Sequence, residues 1–338
     1  MKAKEKGISF ILPCLNEERD IENLLGFIIN LKINFEIIIV DGGSKDKTKE
    51  IVKKFILKNR LKNIIFLENK YKIQSYAINL GVKASKYNFC IRVDCHSKFY
   101  NNKNFSTSIE KIIELLEKDS YSSIGFKQRF CFDNLMQASI FFLSNTPAIS
   151  FNNKYRYAIK NNLTNQTAWL FAINKSRFEE VGMLNTKLIT NEDFEFNKRL
   201  IKRCKKPILI FTDLYIYYKP RDNFLDFAKQ YYKYGKQNPL YEKNFIRRIL
   251  EIIIGFYIIL IYIIAILSIK YFYLFTLASV FFLNVYQIIY DKGNYLRISF
   301  KNKKMWLYLI FSFLISPFIA VIPFSSLLIG KLINFKKS

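Results

Sequence analysis

Histidine is almost missing from this chain: His96 is the only one in 338 residues. Any imidazole chemistry therefore rests on a single position. Acidic residues are also scarce, 27 Asp and Glu against 53 Lys and Arg, for a formal net charge of +26. Such an excess suits nucleic acid, an anionic membrane surface or phosphate-rich substrates, and composition alone leaves the three open. The five cysteines (Cys14, Cys90, Cys95, Cys131 and Cys204) are odd in number and form no C-x-x-C pair. Neither a disulfide framework nor a zinc site is indicated, and reduced thiols are expected. The opening "MKAKEKGISFILPCLNEE" has only a short apolar run and no small-residue cleavage site, so it reads as a strand rather than a signal peptide. No G-x-G-x-x-G follows that strand, which argues against a dinucleotide-binding enzyme.

What is present begins with an alternation. Between residues 8 and 94, the short runs "ISFIL", "FEIIIVD", "NIIFLE" and "NFCIRVD" are rich in Ile, Val and Phe, as strands of a buried parallel sheet are. Helical periodicity separates them: Ile21, Leu24, Leu25, Ile28 and Ile29 in the first interval, Ile51, Val52, Phe55 and Ile56 in the second, Tyr76, Ala77, Leu80 and Ala84 in the third. The pattern predicts an α/β fold with a right-handed wound, mostly parallel sheet. Ligands of such sheets bind beyond the carboxyl ends of the strands. Those ends read Pro13 to Glu17, Asp41-Gly42-Gly43-Ser44, Glu68, and Asp94-Cys95-His96.

Residues 100 to 245 are less periodic. "FSTSIEKIIELLEKD" predicts a packed helix, and "TNEDFEFNKRLIKR" predicts a helix with Thr190 or Asn191 as cap and Glu192 and Asp193 in its first turn. Those two acids can be read as complements of the helix dipole or as chemical groups. After Arg247 and Arg248, residues 249–269 and 271–290 are each apolar over the roughly 20 residues that span a bilayer. A third stretch, 305–330, contains Pro317 and Pro323. Basic flanks place the first two as a hairpin with cytoplasmic ends. The third either crosses fully or re-enters at its prolines.

An Asp and a His two apart at the end of an extended strand point the same way, so Asp94 and His96 could reach one ion. Carboxylate with imidazole suits Mn²⁺ or Mg²⁺ when a substrate diphosphate completes the shell. Asp-x-His is also a short pattern compatible with a solvated acid beside a hydrogen-bonded histidine. Asp41, at the end of another strand on the same predicted edge, favours the ligand-binding reading.

The ordered blocks "ISFILPCLNEERDIENLL", "EIIIVDGGSKDKT", "YKIQSYAINLGVKAS" and "CIRVDCHSKF" resemble those of family 2 glycosyltransferases, which have the GT-A fold. "TAWLFAINKSRFEEVGMLN", "NEDFEFNKRLIKR" and "YYKPRDNFLDFAKQYYKYGK" resemble the membrane-anchored, succinoglycan-type transferases that build exopolysaccharide. The resemblance covers roughly residues 7 to 240. It implies a cytoplasmic GT-A domain over 1–245, with a nucleotide-binding half (1–98) and an acceptor-binding half (99–245), then a membrane domain over 246–338 in the inner membrane. It implies that Pro13, Glu17, Asp41 and Lys72 line the nucleotide pocket, and that Asp94 touches ribose or metal. His96 stands where the general pattern has a second acid, so the implied metal ligands are Asp94 and His96. Asp193 is the implied catalytic base, Gln230 belongs to the block after it, and Arg221 is the implied partner of the leaving diphosphate.

The expected activity is inverting transfer of a sugar from a nucleotide-sugar donor to a lipid-linked saccharide, with Mn²⁺ or Mg²⁺ as cofactor and the bilayer as partner. A polyprenyl diphosphate would carry the acceptor. Two alternatives remain: a polyprenyl-phosphate sugar synthase, whose acceptor is already an anion, and a non-catalytic membrane protein that binds carbohydrate. Nucleic acid is not expected, since no recognised binding motif accompanies the charge.

Overall fold

The computed structural model describes residues 6–99, 105–130, 134, 136–137, 140, 161–164, 171–218, 220–221, 223, 225–230 and 232–233. The apolar stretches 249–269, 271–290 and 305–330 lie outside the described residues. Among the described residues, no helix is long and apolar enough to cross a membrane. The chain divides into two compact units, one of Met1–Arg129 with Lys154–Tyr218, the other of Phe130–Asn153 with Lys219–Ser338.

In the first unit the alternating runs become β1 (Ile8–Cys14), α1 (Ile21–Ile28), β2 (Phe35–Asp41), α2 (Thr48–Asn59), β3 (Ile64–Glu68), α3 (Gln74–Ala84) and β4 (Phe89–Arg92). Then come β5 (Lys98–Phe99), α4 (Phe105–Glu117), β6 (Ile124–Phe130), β7 (Asn162–Thr164), β8 (Phe171–Asn174), α5 (Lys175–Glu180), α6 (Glu192–Cys204) and β9 (Ile208–Tyr218). The sheet order is β3-β2-β1-β4-β8-β6-β9-β5, with β7 also on β9. β3, β2, β1 and β4 are parallel, in the register Ile8↔Phe35 and Ile11↔Arg92 across β1. Beyond β4 the pairing turns antiparallel, through β8 against β4 and β6 against β8. The wound parallel half is as the sequence predicts, and it is extended by strands that pair antiparallel.

Alternation along the central strands feeds two apolar layers. Phe10, Leu12, Ile37 and Ile39 meet α1 through Leu24, Leu25 and Ile28, and α4 through Ile109, Ile112 and Leu116. Ile11, Ile38 and Val40 face the other way, into a cluster with Ala77, Ile78 and Val82 of α3, Phe178 of α5, and Phe196 and Leu200 of α6. Phe196 is 5.0 Å from Phe178 and 6.0 Å from Phe171, ring centre to ring centre. Burying each such ring contributes about 1.5–3 kcal/mol.

The buried face of α3 differs from the one the sequence predicts. Ser75, Ala77, Ile78, Asn79, Gly81 and Val82 are buried, Tyr76 and Leu80 are half-buried, and Ala84 is exposed. Gly81 explains the rotation: a Cβ there would stand 2.5 Å from Cγ2 of Ile11, so only a glycine lets the helix sit this close to β1. Asn79 fixes the same face, donating from Nδ2 to the Leu184 carbonyl at 2.8 Å and accepting the Leu184 N–H at 3.0 Å. Among the described residues Cys14, Cys90, Cys95 and Cys204 are free thiols, and Cys131 lies outside the described residues.

Candidate active site

Order 3-2-1-4 reverses direction at β1, and a crevice opens beyond the carboxyl ends of β1 and β4 at such a point. Two loops that border it are laced together. The Asn16 N–H donates to Ser44 Oγ at 2.9 Å, the Lys45 N–H to Asn16 Oδ1 at 2.9 Å, and the Glu17 N–H to Thr48 Oγ1 at 2.8 Å. Asn16 is left-handed at φ 56 and Gly43 at φ 85, tight bends that bring the two loops edge to edge.

Asp41 ends β2 with no exposed surface. Its Oδ2 accepts the Gly43 N–H at 2.9 Å and the Ser44 N–H at 3.0 Å, and lies 3.4 Å from Lys49 Nζ. The carboxylate therefore shapes the loop from beneath. Lys72 is exposed, and its Cε would be 3.4 Å from a Cβ placed on Gly43, so its chain runs past that loop. Pro13 is buried in β1 and its carbonyl faces the Cys95 thiol at 3.5 Å. These are the expected nucleotide-pocket positions, and they gather at one edge of the sheet.

β4 closes earlier than the sequence suggests. The Val93 N–H still donates to Ile11 at 2.9 Å, but the Ser97 N–H donates to the Asp94 carbonyl at 2.9 Å, so residues 94–97 turn. Asp94 and His96 consequently do not share one face of an extended strand, and their side chains find different partners. Asp94 is buried, its Oδ1 accepting from Arg92 Nε at 3.3 Å and from Gln74 Nε2 at 3.4 Å. The His96 side chain is 53% exposed, with Nδ1 3.0 Å from Glu17 Oε1.

α6 brings the remaining acids. Its cap position holds Asn191, as predicted, but at φ 60 and without a side-chain capping bond, because the left-handed backbone carries the amide away from the first-turn N–H groups. Glu192 is buried and its Oε1 accepts from Arg92 Nη1 at 3.4 Å. Burial first, and the adjacent Asp193 second, push the Glu192 carboxyl up to about 7. Asp193 is also raised, chiefly by burial and against the opposing pull of Arg92. Glu195 is occupied elsewhere, gripping Arg199 at 2.6 and 2.7 Å.

The sequence reading passed over Arg92 and Gln74. A lone arginine inside the apolar run "FCIRVD" was the available signal, since an unpaired charge in a buried strand is very costly. Arg221 and Gln230 belong to the second unit. There Arg221 is exposed, and Gln230 is half-buried on helical residues 225–230.

Among the described residues, no group of three or more His, Cys, Asp or Glu could hold a metal ion. A carboxylate and an imidazole, with a second carboxylate behind the imidazole, make an oxygen and nitrogen donor set suited to Mn²⁺ or Mg²⁺ only if a substrate supplies further oxygens.

Residues 9–182 match the profile described as Glycosyl transferase family 2. Over 279 residues, 29% are identical to a dolichyl N-acetyl-alpha-D-glucosaminyl phosphate 3-beta-D-2,3-diacetamido-2,3-dideoxy-beta-D-glucuronosyltransferase of Methanococcus voltae, covering 77% of this chain and 85% of that one. The succinoglycan biosynthesis protein ExoA of Rhizobium meliloti is 26% identical over 242 residues, covering 70% and 69%. In three dimensions a mannosyltransferase from Pyrobaculum calidifontis, solved in complex with GDP-Man and Mn²⁺, superposes with a TM-score of 0.51 at 14% identity, over 68% of this chain and 61% of that chain. That likeness shows a shared GT-A fold.

Proposed function

This chain belongs to glycosyl transferase family 2, and we propose that it is an inverting enzyme that moves a sugar from a nucleotide-sugar donor to a lipid-linked saccharide in surface polysaccharide synthesis. The observation that carries the reading is the meeting of Asp94, from the donor edge of the sheet, with the first turn of α6 through Arg92. The expected donor-binding acid and Glu192, the chain neighbour of the candidate base Asp193, thus share one buried cation.

The donor's base and ribose would rest against Pro13 and the loop braced by Asp41, with Glu17 alongside and Lys72 reaching its phosphates. Asp94 and His96 would hold a Mn²⁺ or Mg²⁺ ion together with the diphosphate. That ion would supply positive charge where the leaving group becomes negative. Asp193 would take the proton of the acceptor hydroxyl as its oxygen forms a bond to the anomeric carbon from the face opposite the leaving diphosphate, giving inversion. A base so placed contributes about 10²–10⁴ in rate.

The acceptor class is supported by the named substrate of the Methanococcus relative, a dolichyl-linked sugar phosphate. The apolar stretches 249–269 and 271–290 would hold the domain at the cytoplasmic face of the membrane, where a lipid-borne acceptor is concentrated. The test uses the full chain in detergent with nucleotide sugars and lipid-linked saccharides. Transfer with inverted anomeric configuration is expected, with Asp193→Asn reducing it about 10²–10⁴-fold. A mild loss in Asp193→Asn with polyprenyl phosphate as acceptor would favour the synthase, and absence of both transfer and hydrolysis across donors would favour a binding protein.

A further inference from the structure

Arg92 occupies the last position of β4, opposite Ile11 of β1, in a run whose other inward residues are apolar. Its side chain is 3% exposed. Removing a guanidinium from water costs several kcal/mol unless its partners compensate, so an apolar residue would serve the strand alone more cheaply. The compensation comes from two directions. Nε donates to Asp94 Oδ1 at 3.3 Å, and Nη1 donates to Glu192 Oε1 at 3.4 Å, across 100 residues of sequence. Each bond is longer than the 2.7–2.9 Å of a tight charge-assisted pair. The cation is therefore divided between the acids rather than clamped bidentately on either one.

We propose that Arg92 is a positioning residue that couples the donor-binding acid Asp94 to the base-bearing turn of α6, so that occupancy of the donor site and placement of Asp193 are set together. The coupling rests on the transferase reading above. Its physical basis is the rigid fork of the guanidinium, which directs separate N–H groups at two carboxylates at fixed angles. Lysine carries the same charge on a rotating ammonium at the end of a flexible stem, which does not fix the two directions. The bond from Arg92 falls on Oδ1 of Asp94, as does that from Gln74, which leaves Oδ2 as the oxygen to meet the donor. A change at Glu192 should therefore be felt at the donor through Arg92, although Glu192 lies on α6 and is assigned no donor contact.

The test is a double-variant cycle on the full chain in detergent, read as binding of UDP and of GDP with Mn²⁺ by calorimetry, with thermal melting as a check on folding. Arg92→Met is expected to weaken binding of the preferred nucleotide at least tenfold. Arg92→Lys should melt near the native temperature yet recover less than half of that loss. At pH 8, where Glu192 is ionised, Glu192→Gln should weaken binding several-fold in the native background and have no further effect in Arg92→Met. Native binding in Arg92→Lys, or equal effects of Glu192→Gln in both backgrounds, would overturn the coupling while leaving the transferase reading in place. A native chain that binds neither nucleotide would remove both.

Discussion

Nδ1 of His96 lies 3.0 Å from Oε1 of Glu17, joining the loop after β4 to the loop after β1 across 79 residues of sequence. With Glu17 accepting the Nδ1 proton, the ring is held as the tautomer whose Nε2 bears a lone pair. This is how a carboxylate orients and strengthens an imidazole ligand. The single histidine is thus fixed by Glu17, which the family resemblance implies is part of the nucleotide pocket.

Loss of that carboxylate should therefore act through the ring. Glu17→Ala is expected to weaken Mn²⁺-dependent binding of nucleoside diphosphate by about 10–100-fold, the range seen when the partner of a ligating histidine is removed. His96→Ala should do at least as much. Calorimetry with and without Mn²⁺ checks this, and unchanged metal dependence in both variants would reduce the pair to scaffold.

Glu192 makes a prediction about pH. Its carboxyl is raised from the ordinary 4.5 to about 7 by burial and by Asp193, so the folded state holds a proton that the unfolded chain releases. The associated stability is fully present below pH 4.5 and is lost as pH rises to about 7, because ionising the buried group opposes folding. Glu192→Gln cannot ionise, and its melting temperature should fall less than that of the native chain between pH 5 and pH 8. Parallel melting profiles for the two proteins would show that Glu192 does not hold that proton.

Gly81 should tolerate no side chain. A Cβ at 2.5 Å from Cγ2 of the fully buried Ile11 must push α3 off β1. Gly81→Ala, although it favours helix intrinsically, is expected to destabilise by about 1–3 kcal/mol, as overpacking does. Chemical denaturation measures it, and a gain in stability would mean that the helix can shift without cost.

The legible part of the structure is that governed by local periodicity. Runs such as "FEIIIVD" and the spacing Ile21, Leu24, Leu25, Ile28 each read as one element, and each formed it. The face of α3 was misplaced by about one residue because small residues carry little hydropathic signal; Gly81 and Ala77 are buried by close approach rather than by apolar bulk. The turn at 94–97 was missed because Asp94, Cys95 and His96 carry neither Gly nor Pro to announce it.

The sequence by itself determined the alternating strands and helices, the polar residues at the strand ends and the order of the family blocks, because each is written in neighbouring residues. Only the tertiary structure decided that Arg92 lies between Asp94 and Glu192, that Glu17 holds His96, and that the sheet continues antiparallel beyond β4. Those pairings join segments as much as 100 residues apart. They are selected by which charges, hydrogen-bonding groups and strand edges can satisfy one another once the chain has folded, a condition that no local pattern encodes.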